Sequence, residues 1–105
     1  SDDYIHEDRV RLELYRRLSK ASDIQDIYKI EEEMEDRFGK PDIFTKQFIE
    51  LIIIKILALN LGIQSISSYE MNITFTKAND TKETIKSPSK DDDDIIATTL
   101  RYLRK

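Results

Sequence analysis

The sequence predicts an α+β domain that is mainly helical. Three N-terminal helices come first, then a small antiparallel β-hairpin or three-stranded sheet, then a C-terminal helix. Three observations carry this. Apolar residues recur every three or four positions up to Leu61. After Gly62 the period drops to two. Only two Gly and two Pro interrupt 105 residues, so the helices are long and few.

Residues 1–6 form a polar lead-in, expected to be flexible. Val10, Leu14 and Leu18 then recur at four-residue spacing, with Leu12 and Tyr15 widening the stripe, which predicts a first helix over about 7–20. Arg9, Arg11, Glu13, Arg16 and Arg17 cover its other faces. The Ser22-x-x-Gln25 pattern predicts a capping box opening a second helix. Ile27, Ile30, Met34 and Phe38 make its apolar stripe. Gly39 suits the left-handed position past its end, and Pro41 blocks continuation.

A third helix is predicted over 43–61. Phe44, Phe48, Leu51, Ile52, Ile54 and Leu59 make it apolar on most faces, a pattern expected of a central helix covered on several sides. Ile66, Met71, Ile73 and Phe75 alternate with polar residues, predicting a hairpin turning near Tyr69-Glu70. Lys82 to Lys86 suits a third strand, and Ser87-Pro88-Ser89 a turn. Asp91 to Asp94 open the last helix, with Ile96, Leu100 and Leu103 inward. Its acidic start and basic end both suit the helix dipole.

The length suits one domain, 1–105. Position 1 is Ser rather than Met, so the chain reads as a fragment of something larger. Residues 1–39 carry 12 acids and 7 bases, while residues 40–105 carry 9 acids and 10 bases. A phosphate-backbone binder needs clustered Lys and Arg, so direct nucleic-acid binding is not expected. The absence of Cys removes disulfides and thiolate metal sites and fits a reducing compartment. The apolar run Phe48 to Leu61 is interrupted by Glu50, Lys55 and Asn60 and is too short to span a bilayer.

Catalytic chemistry has little to stand on. The lone histidine, His6, lies in the polar lead-in. Both glycines sit at helix ends, so there is no phosphate-cradling loop. Asp91 to Asp94 lack the spacing, central Gly and terminal Glu of an EF-hand loop. No metal, cofactor or catalytic residue is therefore expected.

The stretch EEEMEDRFGKP, Glu31 to Pro41, holds more charge than helix termination requires. On a helical wheel Glu33, Asp36 and Arg37 fall at i, i+3 and i+4, away from the apolar stripe. Two readings fit: a solvated face with a Glu33–Arg37 ion pair, or a contact patch for a charged protein surface. Periodicity does not choose between them.

Three segments carry a family resemblance: DRVRLELYRRL (Asp8 to Leu18), MEDRFGKP (Met34 to Pro41) and KILALNLGIQSI (Lys55 to Ile66). In order and spacing they resemble the C-terminal domain of the bacterial transcription-repair coupling factors (Mfd), over about residues 4–77. The segment Ser67-Ser68-Tyr69-Glu70 departs from the glycines common there. The resemblance implies a parent protein that is an ATP-driven DNA translocase of the bacterial cytoplasm, acting on stalled RNA polymerase and recruiting UvrA for nucleotide excision repair. ATP, Mg, DNA and polymerase would bind other domains. This domain would be non-catalytic, docking on the UvrB-homology module of the same polypeptide and masking its UvrA-binding face. The docking residues implied are Glu33, Asp36 and Arg37. An accessory nucleic-acid-binding role through Arg9, Arg11, Arg16 and Arg17, or a purely stabilising one, are the alternatives.

Overall fold

The computed structural model describes residues 8–105, so the lead-in and His6 lie outside the described residues. In order, the elements are α1 (Asp8–Lys20), α2 (Ile24–Phe38), α3 (Ile43–Asn60), β1 (Ile63–Tyr69), β2 (Asn72–Lys77), β3 (Lys82–Lys86) and α4 (Asp92–Leu103). This is the expected α+β order, with the third strand present. The chain divides into two compact units, Ser1–Ile53 and Ile54–Lys105.

In the first unit, Leu14 and Leu18 of α1 and Ile27, Ile30 and Met34 of α2 are buried, at the predicted apolar spacing. The Tyr15 and Phe48 rings meet in a tilted contact with centroids 5.1 Å apart. Leu12, expected to widen the α1 stripe, is instead 64% exposed. At 100° per residue it lies nearly opposite Leu14, beyond reach of the buried side.

The start of α2 also differs from expectation. Its N-cap is Asp23, not Ser22: Asp23 is extended at φ −121°, and its carboxylate accepts from the Gln25 amide at 2.9 Å. Both residues are good caps in isolation, and the pairing selects the one from which the N2 amide is reached. Asp23→Ala is therefore expected to cost about 1 kcal/mol, read by thermal unfolding, whereas Ser22→Ala should change little. The helix ends as predicted. Gly39 takes φ +82° while its amide donates to Glu35 O, at 2.9 Å. Asp42 Oδ1 then accepts from the Thr45 amide at 2.9 Å, starting α3.

Helix α3 is as apolar as predicted, and its two ends are covered on different sides. Thr45, Ile49 and Ile53 are buried in the first unit, and Ile56 and Ala58 in the second. Thr45, Ile49 and Ile53 run at i, i+4 and i+8 along one stripe, whereas Ala58 falls on another side of the helix and packs with Ile54 and Leu57 in the core of the second unit. Part of its apolar surface stays open: Phe44 is 67% exposed, and Ile43, Leu51 and Leu59 are also exposed.

In the second unit the three strands form an antiparallel sheet in the order β1-β2-β3. Tyr69 pairs with Asn72, so the hairpin turns at Glu70-Met71. Glu70 occupies positive φ (55°) in place of the glycine usual there. Met71, expected in the alternating strand, sits in this turn. Ile73 and Phe75 face inward with Ile66 and Ile85, around a core that includes Ala58, Ile63 and Leu103. The outer face is polar, and Thr74 and Thr84 share a hydroxyl hydrogen bond of 3.0 Å across β2 and β3. Helix α4 buries Ile96, Leu100 and Leu103 as predicted. Its first turn is tied by Ser89, whose hydroxyl donates to Asp94 at 2.6 Å and accepts from the Asp91 amide at 3.0 Å.

Candidate protein-docking site

The charged end of α2 lies one turn before the Gly39 stop, so its side chains are held by a well-terminated helix. Buried Met34 fixes the rotation of that turn. With Met34 inward, Glu32, Asp36 and Arg37 are exposed and Glu33 is half-buried at the flank. Together with Lys29 these four line one shallow groove of about 440 Å³. The three residues singled out from the sequence, Glu33, Asp36 and Arg37, are thus brought to one place.

They are not equivalent. Glu33 is already engaged by α1: Arg17 donates two parallel hydrogen bonds to its carboxylate, at 2.8 and 3.1 Å. The expected Glu33–Arg37 pair exists but is longer, 3.7 Å. The Arg37 guanidinium also lies over the Phe38 ring, 5.1 Å from its centroid. The Arg17 bond, with Arg17 and Arg37 as nearby cations, lowers the Glu33 pKa below the ordinary glutamate range. Glu33 therefore serves the α1–α2 contact as well as any partner, contrary to the expectation that the fold has no use for it. Arg17 escaped sequence reasoning because it stands 16 residues from Glu33, outside any helical spacing rule. Asp36 and the outer edge of Arg37 remain as groups whose charge is directed outward.

Glu31, on the side of α2 toward α3, behaves in the opposite way. Burial raises its pKa first, then the carboxylates of Glu35 and Glu50, with Lys46 partly offsetting them. A raised folded-state pKa gives stability that is complete below the unfolded glutamate range and lost as pH rises through the folded value. Glu31→Gln should therefore stabilise the chain at neutral pH by a fraction of a kcal/mol. The gain should shrink on acidification, as read by thermal melts across that range. Glu33→Gln should show the reverse: its stabilising pair is present above the unfolded range and is lost as pH falls through the lowered pKa.

Among the described residues no group of three or more His, Cys, Asp or Glu is arranged to hold a metal ion. No helix among them is long and apolar enough to cross a membrane. The chemistry available at the end of α2 is that of charge complementarity at a protein surface.

Comparison with known proteins shows the family of the chain. The chain matches the TRCF domain family over residues 1–87. Transcription-repair-coupling factors from two strains of Helicobacter pylori are 48% and 49% identical over 99 and 100 residues. Those matches cover 94% and 95% of this chain but 10% of each relative, so the chain spans a tenth of their length. The factor of Rickettsia prowazekii is 31% identical over 67 residues, 64% of this chain and 6% of that protein. In fold, the chain is similar to the crystal structure of the C-terminal domain of a transcription-repair coupling factor. The TM-score is 0.80 at 16% identity, over 99% of this chain and 83% of that one. On the span of the family match and the identity to these relatives, the chain belongs to the TRCF domain family.

Proposed function

We propose that this domain is a non-catalytic, autoinhibitory docking module of a transcription-repair coupling translocase. Its groove at the end of α2 would dock on the UvrB-homology module of the same polypeptide and mask the face that recruits UvrA. ATP, Mg, DNA and RNA polymerase would be handled by other domains of the parent, in the bacterial cytoplasm. The observation that carries this reading is the convergence of Glu33, Asp36 and Arg37, with Glu32 and Lys29, on one exposed groove. The family membership supports it.

The physical fit is to a reversible latch. A charged, half-solvated contact gives partner specificity and salt sensitivity without a permanent apolar seal. Arg37 offers a planar fork for a partner carboxylate, and Asp36 an acceptor for a partner Arg or Lys. Glu33, fixed by Arg17, sets the groove wall.

The test is binding in trans between this 105-residue chain and a separately purified UvrB-homology module, by calorimetry at low and high salt. Binding that weakens with salt, and weakens about tenfold or more in an Asp36→Lys/Arg37→Glu variant, is expected. Affinity unchanged in a folded double variant would refute docking through this groove.

A further inference from the structure

The outer face of α1 is a second charged surface, of opposite sign, which meets the latch groove only at Arg37. Arg9, Leu12, Glu13 and Arg16 follow one another at i, i+3, i+4 and i+7, so they share a side of the helix. All four are exposed. With Arg17 and Arg37 they line a groove of about 510 Å³. Beside it lies a groove of about 370 Å³, which shares Arg16 and Arg17 and adds Lys20 and Lys29 with one acid, Asp26. Cations of α1 and α2 therefore outnumber acids along these grooves, in a chain whose net charge is −4.

Two of the arginines are pre-positioned. Glu13 accepts from Arg16 Nε and Nη2 at 3.1 and 2.9 Å, and Glu33 accepts from both terminal nitrogens of Arg17. Each clasp fixes a guanidinium plane while leaving further N–H donors unspent. Leu12 stands in the wall of the larger groove, 64% exposed. An exposed leucine ringed by arginines wants a ligand with both an apolar side chain and carboxylates.

We infer that the Arg9–Leu12–Arg16 face of α1 is a docking site for an acidic peptide segment of a protein partner, one that carries an apolar anchor to cover Leu12. Charge complementarity selects the acidic class. The carboxylates of Glu13 and Glu33 in or beside the walls disfavour a continuous phosphate backbone, which would bring charge against both. A phosphate backbone would also leave Leu12 uncovered. A peptide, by contrast, places its acids at intervals, and one apolar residue between them reaches the leucine. The α1 groove shares Arg37 with the α2 groove, but Arg9 and Leu12 lie outside the latter, so variants at these two residues separate the two sites.

The test uses the 105-residue chain and a fluorescent peptide of Asp and Glu around a single central Phe, read by anisotropy. A second peptide with Ser for Phe and a labelled DNA duplex are the comparison probes. Binding of the Phe peptide is expected to be salt-sensitive, and about tenfold weaker with the Ser peptide or in Arg9→Glu and Leu12→Ser. Both variants sit on an exposed face and should keep their melting temperature. They should also keep wild-type affinity for the UvrB-homology module. The inference is overturned if the Phe and Ser peptides bind alike, or if folded Arg9→Glu and Leu12→Ser bind the Phe peptide like wild type. It is also overturned if the duplex is the tighter ligand and loses affinity in Arg9→Glu.

Discussion

Phe75→Ala is expected to lower stability by about 3–5 kcal/mol, a large share of the roughly 5–15 kcal/mol that a domain has in total. Phe75 is 2% exposed and packs in the cluster that includes Ile63, Ile73 and Leu103. Its ring stacks on Tyr102, with centroids 4.1 Å apart and planes at 21°. Removing the ring takes away its burial and leaves a cavity that the flanking strand cannot close, because β2 is paired on both sides. It also removes the stacking partner of Tyr102, an aromatic pair worth about 0.5–1.5 kcal/mol beyond area. The Tyr102 hydroxyl donates to Glu83, which pairs with Phe75 across β2 and β3. One deletion thus loosens the sheet and the α4 contact together. Urea denaturation followed by circular dichroism measures the loss. Tyr69→Ala is the control: that ring is 77% exposed, and its removal should stay within about 0.5 kcal/mol. A loss below about 1 kcal/mol for Phe75→Ala would contradict its place at the centre of this core.

The parts of this fold that were legible in the sequence are those set by local chemistry. Gly39 before Pro41 ended α2 where expected, because few residues other than glycine hold φ near +80° cheaply. Ile73 and Phe75 marked β2 because alternation leaves one face for a core. The misreadings came where two local signals compete or where the answer is tertiary. Ser22 and Asp23 are both good caps, and only the backbone geometry selects Asp23. Leu12 and Phe44 are apolar, yet composition does not say whether the fold has anything to lay over them. Glu33 looked like surplus charge because its first partner, Arg17, lies on another helix. The same pairing is why the docking patch, read from spacing as three equivalent residues, divides into a fixed wall and two outward charges.

That division shapes the experiment with the largest functional effect expected. In the full-length parent protein, Asp36→Lys combined with Arg37→Glu should raise UvrA affinity by about tenfold or more. Losing even one desolvated charge pair costs about 2–5 kcal/mol, and each 1.4 kcal/mol is about a factor of ten. Under the proposed latch, tethering would keep the docked state populated through a weak contact, because a linked partner is present at high effective concentration. The same tethering means that a modest loss of contact energy shifts the open fraction steeply once the latch is near balance. Glu33→Lys is the poorer probe. It would set a lysine against Arg17 and Arg37, so a gain in UvrA binding there would mix lost docking with a loosened α1–α2 pair. Among the described residues Asp36 makes no such pair, and its reversal should leave the melting temperature of this domain within about a degree or two. Restoring repression by reversing the facing charges on the UvrB-homology module would tie the effect to direct contact. A folded double variant with unchanged UvrA affinity would remove this groove from the latch, and the arginine face of α1 would still stand as a separate surface to be tested.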